Sequence, residues 1–108
     1  PTRLARHNSA MTLTGRMNLM NAAYARDERP ISAGCQCYTC QHFSRAYLRH
    51  LVNAKEMLAA TLLSIHNLFT LVNLTQRMRQ AILAGEMQRF AQETLAAIAA
   101  SQTLEEEV

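Results

Sequence analysis

The sequence predicts a mainly α-helical fold with one short β-hairpin, and three observations lead to it. Three cysteines fall within six residues, Cys35-Gln36-Cys37-Tyr38-Thr39-Cys40, and the chain has no others. From Phe43 onward apolar residues recur at helical spacing, as at Leu48, Leu51 and Val52. Upstream, Met11, Leu13, Met17 and Leu19 alternate with polar residues on either side of Gly15, which is the pattern of two short strands. The cysteines add a constraint to the helices. Thiolates this close suit a structural zinc, which takes four tetrahedral ligands, commonly Cys₃His. An odd count leaves a thiol over in any intramolecular disulfide scheme, and Cys-x-Cys neighbours join poorly because disulfide geometry is restrictive. The fold class expected is therefore mainly α, with a short hairpin and a structural zinc site; unrelated free thiols or a redox patch rank below it.

The elements follow in order. Residues 1–9 read as a loop that exposes Arg3 and Arg6, and the hairpin comes next. Asn21 can cap a helical turn over residues 22–26, and Pro30 and Gly34 bound the approach to the cysteines. A first helix is expected over about residues 41–54 and a short second one over 55–63. A third runs over about 64–84, with Ser64 as its N-cap and Gly85 as its stop. Its core side would carry Ile65, Leu68, Phe69, Val72, Met78 and Ile82. A last helix over 86–100 carries Met87, Phe90, Leu95 and Ile98, and Glu105-Glu106-Glu107-Val108 reads as a frayed end.

The fourth metal ligand must be a histidine distant from the cysteines. His7 and His42 read as surface residues; a chelate through His42, two residues after Cys40, would be cramped. His50 lies on the helix after the cysteines. His66, twenty-six residues beyond Cys40, lies far enough on for a second helix to return and close the site, and is preferred with His50 left open. A second feature involves His50: Phe43, Tyr47 and His50 fall at i, i+4 and i+7, one stripe of the first helix. Such a stripe either completes the core or faces a partner, since aromatics with a polar tip are enriched at interfaces.

At 108 residues the chain is at most one domain or part of a larger one. With 6% aromatic residues and no Trp, its core must come from Leu, Ala, Ile and Met, and a metal would help a chain this small. No uninterrupted apolar run of eighteen residues occurs, so no transmembrane helix is expected. Reduced thiols and no visible targeting segment point to the cytoplasm. Residues 1–50 carry a net charge of +5 and residues 51–108 a net −2. The basic front half suits a polyanion such as nucleic acid, or is a solvated basic face. No phosphate-binding glycine motif is present, since the three glycines are dispersed. Starting at Pro1 without an initiator Met, the chain reads as a segment of something longer.

Longer motifs add a resemblance. The run from Cys35 to Cys40, then Ser44-Arg45-Ala46-Tyr47-Leu48-Arg49-His50-Leu51, then Ile65-His66-Asn67, resembles the C-terminal region of bacterial tRNA-guanine transglycosylase. That family's zinc pattern, Cys-x-Cys-x₂-Cys-x₂₅-His, is matched in spacing with His66 as fourth ligand. Pro1-Thr2-Arg3, Ala5-Arg6, Gly15-Arg16-Met17-Asn18-Leu19 and Asn21-Ala22 are also similar to family segments, so the likeness covers roughly residues 1–85. It implies a C-terminal portion of a (β/α)₈ barrel enzyme, divided here into a loop and hairpin over 1–34, a zinc subdomain over 35–66 and helices over 67–108. It further implies exchange of the wobble guanine in GUN-anticodon tRNAs for a 7-deazaguanine, on the way to queuosine. The metal set would be Cys35, Cys37, Cys40 and His66, holding one structural zinc. Arg3 and Arg6 would contact the tRNA anticodon loop, and Phe43, Tyr47 and His50 would lie in a homodimer interface. The family's nucleophilic aspartate would lie before Pro1, so the segment alone is expected to be inactive; Asp27, its one aspartate, matches neither catalytic position. In one respect the chain departs from the pattern: His7-Asn8-Ser9 stands where the family usually has a glycine. The competing expectation is a free-standing, non-catalytic zinc-stabilised helical module that binds RNA or a protein partner.

Overall fold

A computed structural model describes the backbone of residues 1–107 and the side chains of residues 1–100. The acidic end at 105–108 lies outside the described side chains. Among the described residues the architecture is helical with one hairpin, as expected. The order is α1 (Thr2–Arg6), β1 (Ser9–Thr12), β2 (Gly15–Asn18), a 3₁₀ turn (Ala22–Tyr24), α2 (Tyr38–His42), α3 (Arg45–Asn53), α4 (Met57–Leu83) and α5 (Met87–Glu107). The strands pair antiparallel, Ala10 opposite Met17 and Thr12 opposite Gly15. Leu13 and Thr14 make the turn, and Thr12 closes it by donating its hydroxyl to the Gly15 carbonyl at 2.7 Å.

Three expectations about element limits need correction. Residues 2–6 form a helix rather than a loop, because Ala5 is buried against the core and its amide bonds back to the Pro1 carbonyl at 3.1 Å. The helix expected over 41–54 is two helices. Phe43 is extended between them, and the Ser44 hydroxyl accepts the Tyr47 amide at 3.1 Å, starting α3 afresh. The helices expected over 55–63 and 64–84 are one: Ser64 caps nothing, and α4 runs unbroken through it. Asn21 does cap its turn, accepting the Ala23 amide, and Gly85 ends α4 with a φ of +73°.

The core lies where α4 meets α1, the hairpin, α2 and α3, around Leu19, Ile31, Leu48, Leu51, Leu62 and Leu63. The buried side of α4 is Ala59, Leu62, Leu63, His66, Asn67 and Thr70. The stripe expected to face inward does the opposite: Leu68 is 46% exposed, Val72 55% and Ile82 60%, with Ile65 and Phe69 also open to solvent. The helix is apolar nearly all round, so periodicity could not choose between stripes, and the inward one is the one carrying polar residues. By length and composition α4 could span a membrane. Only 28% of that apolar stretch is buried, and its buried side carries His66 and Asn67, which bond to the hairpin and to Pro1.

Candidate metal centre

Each of the four ligands sits on an element that the local sequence builds. Cys37 is the N-cap of α2, and its Sγ accepts the amide of Cys40 at 3.2 Å. That bond brings Cys37 and Cys40 to one end of α2, with Cys35 just before it. Gly34 precedes the cluster at φ +76°, a left-handed turn that suits glycine. Thr39, fully buried, donates its hydroxyl to the Leu62 carbonyl at 2.6 Å and docks α2 on α4 one turn before His66.

The docking brings His66 over the cysteines. Its Nδ1 lies 3.8 Å from Cys35 Sγ, 3.5 Å from Cys37 Sγ and 3.3 Å from Cys40 Sγ. All four donor atoms fall within 4.8 Å of one another. A zinc tetrahedron with ordinary bond lengths has S···N edges of about 3.6 Å, so these separations are those of four ligands around one ion. On its other side the imidazole Nε2 donates to the Met11 carbonyl at 2.8 Å, with the Thr70 hydroxyl at 3.3 Å. This second bond fixes the ring and its tautomer, leaving Nδ1 free to ligate.

The electrostatics suit a metal. Burial pushes the Cys37 thiol up and the Cys40 thiol up to about 12; Cys35 adds to both shifts, while hydrogen bonds from Cys40 oppose the one at Cys37. Burial pushes His66 down, opposed by the Met11 carbonyl, so the imidazole is held in its neutral, ligating form. Without an ion the Cys37 and Cys40 thiols therefore stay protonated, and a divalent cation is what stabilises them as thiolates. Soft sulfur donors with one imidazole select zinc among common ions. Four protein ligands close its shell, so the zinc is structural, one per chain.

His50, the open alternative, is exposed and is not among the four clustered donors, lying in a ring series instead. Phe43 and Tyr47 stack at 5.4 Å, and Tyr47 and His50 follow at 6.4 Å. The stripe thus survives the helix break. His42 is exposed and packs on Tyr38 at 4.6 Å, and His7 is exposed. Arg3 and Arg6 are exposed on α1.

Sequence reasoning missed the polar staples. Asn67, fully buried, accepts the Met11 amide at 2.7 Å and donates to the carbonyls of Pro1 and Ser9, each at 3.1 Å. One side chain so ties α1 and β1 to α4. Arg45 does the same elsewhere: it donates to the Pro30 and Ile31 carbonyls, pairs with Asp27 at 3.1 Å and lies over the Tyr24 ring. The one signal in the sequence was three polar residues, His66, Asn67 and Thr70, interrupting an apolar helix.

The family described as queuine tRNA-ribosyltransferase matches residues 1–100. A relative of that name from Thermosynechococcus vestitus is 57% identical over 86% of this chain and 25% of its own length. Those from Thermus thermophilus and Moorella thermoacetica are 55% and 50% identical, over 86% and 84% of this chain and 24% of their own length. The chain spans about a quarter of these relatives' length. A match over nearly the whole chain, with a zinc centre of the expected ligand types at its middle, means that this chain belongs to the queuine tRNA-ribosyltransferase family.

Proposed function

We propose that the chain is the C-terminal, zinc-stabilised part of a tRNA-guanine transglycosylase, which exchanges the wobble guanine of GUN-anticodon tRNAs for a 7-deazaguanine in queuosine formation. The observation that carries this reading is the family match over residues 1–100. The remaining three quarters of the enzyme would form the (β/α)₈ barrel and supply the nucleophilic aspartate. The chain's three parts, 1–34, 35–66 and 67–108, would be tRNA-contacting, metal-binding and barrel-covering. The enzyme would work in the cytoplasm.

In this reading the zinc positions and does no chemistry. It joins residues 35–40 to α4, and the His66–Met11 and Asn67 bonds carry that rigidity into the hairpin and α1. Arg3 and Arg6 then project from a fixed helix towards the anticodon loop, where guanidinium groups pair with phosphate and base edges. Asn8 supports this placement. Its φ of +67° is the left-handed conformation the family's glycine would adopt, and Asn takes it more readily than most residues. The stacked Phe43, Tyr47 and His50 would face a second copy of the enzyme. Asp27 is held between Arg29 and Arg45 with its side chain 10% accessible, so it offers no substitute nucleophile.

The test is incorporation of labelled guanine into tRNA. The chain alone should give none, and its fusion to the N-terminal three quarters of a relative should restore exchange. In the fusion, Arg3→Ala and Arg6→Ala should each raise the KM for tRNA by about tenfold, the loss of one charge-assisted contact. A zinc-loaded, folded fusion without exchange would instead support the non-catalytic RNA- or protein-binding module.

A further inference from the structure

Beside the metal centre lies a cleft of about 360 Å³ that none of Phe43, Tyr47 and His50 lines. One wall is the loop of Ser32, Cys35 and Gln36; the other is a strip of α4 carrying Phe69, Asn73 and Arg77. Among the described residues, the side chains of Ser32, Gln36, Asn73 and Arg77 make no hydrogen bond or ion pair. Four polar groups, two of them (Gln36 and Arg77) exposed to solvent, thus line one concave site beside an aromatic ring, a combination found in ligand pockets.

The cleft is polarised from end to end. At one end is Cys35, a ligand of a centre whose three thiolates and neutral imidazole leave a net charge of −1 around Zn²⁺. At the other is the Arg77 guanidinium. Thr70, which also lines the cleft, touches the zinc ligand His66. Arg77 lies seven residues further along α4, about 10 Å at the helical rise. Next to Thr70 on the same wall is Phe69, 38% exposed and without an aromatic partner among the described residues. The complementary ligand has a hydrogen-donating end for the thiolate, a flat body for the ring, edge groups for two carboxamides, and an anion about 10 Å away.

From this we infer that the cleft binds one nucleotide unit. The base lies on Phe69 with its edge towards Asn73 and Gln36, and an exocyclic amine faces Cys35 Sγ. The phosphate meets Arg77. Unpaired nucleotides are held in this way, by stacking on an aromatic ring and bonding to amide side chains. The site is independent of the exchange reaction, so failure of one leaves the other standing.

The test is an amide NMR titration of the zinc-loaded chain with adenosine and uridine 5′-monophosphates, the matching nucleosides, inorganic phosphate and a short single-stranded RNA. Saturable shifts are expected at residues 32–36 and 69–77, with nucleotides binding about tenfold more tightly than nucleosides. Arg77→Gln should erase that difference, whereas Arg79→Gln, outside the cleft, should not. Phe69→Leu should weaken nucleotide and nucleoside alike, and one zinc per chain in every variant would verify the fold. Tighter binding of the RNA at the same amides would assign the site to a strand, and tighter binding of the monophosphate to a free nucleotide. No saturable shift up to about 10 mM, equal binding of inorganic phosphate, or indifference to Arg77→Gln would overturn the proposal.

Discussion

At the residue scale, a few side chains each hold several segments together. His66 is both metal ligand and donor to Met11. Replacing it, or Cys37, removes a ligand from a site whose binding energy is folding energy. His66→Ala and Cys37→Ser should therefore lose stoichiometric zinc and helical circular dichroism together. His50→Ala should keep both, since His50 is exposed and is not among the four clustered donors; loss of zinc in that variant alone would reverse the ligand assignment. Asn67 offers a separate check. Asn67→Ala would strand the Met11 amide and take one bond each from the Pro1 and Ser9 carbonyls at a partly buried site, costing about 2 kcal/mol, while all four ligands remain. Denaturant unfolding of the zinc-loaded protein would measure it. The ligand set could be read from sequence because thiols and imidazoles are few and metal geometry constrains their spacing. Asn67 could not, because nothing local distinguishes a buried amide with three partners from a solvated one.

At the element scale, the sequence announced helices well and their limits poorly. The hairpin and Gly85 were legible, since alternation and a helix-ending glycine are local signals. The break at Phe43–Ser44 was missed because apolar spacing continues across it, and Ser64 was misread because a serine caps a helix only where the chain bends. The end of α3 was met to within one residue, at 54 against Asn53, although no glycine marks it. Its stop is Lys55 at φ +58°, with the Lys55 amide bonded to the Val52 carbonyl and the Glu56 amide to the Leu51 carbonyl. Gly85 and Glu86 repeat this arrangement at the end of α4, bonding to the Ile82 and Ala81 carbonyls. Lysine tolerates the left-handed conformation less well than glycine, so Lys55→Gly should stabilise the fold by about 0.5 kcal/mol, after allowance for the looser unfolded chain. A chemical-denaturation series would detect it. The segment before α2 is held by Asp27, whose carboxyl Arg29 and then Arg45 keep well below the usual carboxylate range. A depressed pKa contributes stability above the unfolded value and loses it only as pH falls through the folded one. Asp27 thus stays charged through the pH range in which the thiolates take up protons and release zinc. Acid titration should show zinc release and helix loss coinciding, and Asp27→Asn should lower stability at pH 7 without moving the pH of zinc release.

At the scale of the whole molecule, the surface is too large for the mass. A compact monomer of 12.1 kDa exposes about 6,000 Å², whereas this chain exposes 7471 Å². Some of the exposed surface is apolar and lies along α4, where Leu58, Ile65, Leu68 and Val72 form a stripe turned away from the core. A contiguous apolar face of this kind marks surface that is covered in use. It also explains why periodicity misjudged the core: the sequence encodes two buried stripes, and only one is satisfied within these residues. The aromatic surface at Phe43, Tyr47 and His50 is of another kind, small, polar-tipped and already ordered by its own stacking. Two modes of self-association should therefore coexist in the purified chain. The apolar stripe should drive open-ended association that binds a hydrophobic dye and strengthens with added sulfate, since kosmotropic salts favour apolar burial. Leu68→Ser with Val72→Ser should reduce it while leaving one zinc per chain. The aromatic surface should give a discrete dimer, removed by Tyr47→Ala and insensitive to the serine pair. Light scattering and native mass spectrometry on the four combinations separate the two. If the serine pair abolishes the discrete dimer and Tyr47→Ala leaves it intact, the contact runs through α4, and the aromatic stripe is only the outer edge of the core.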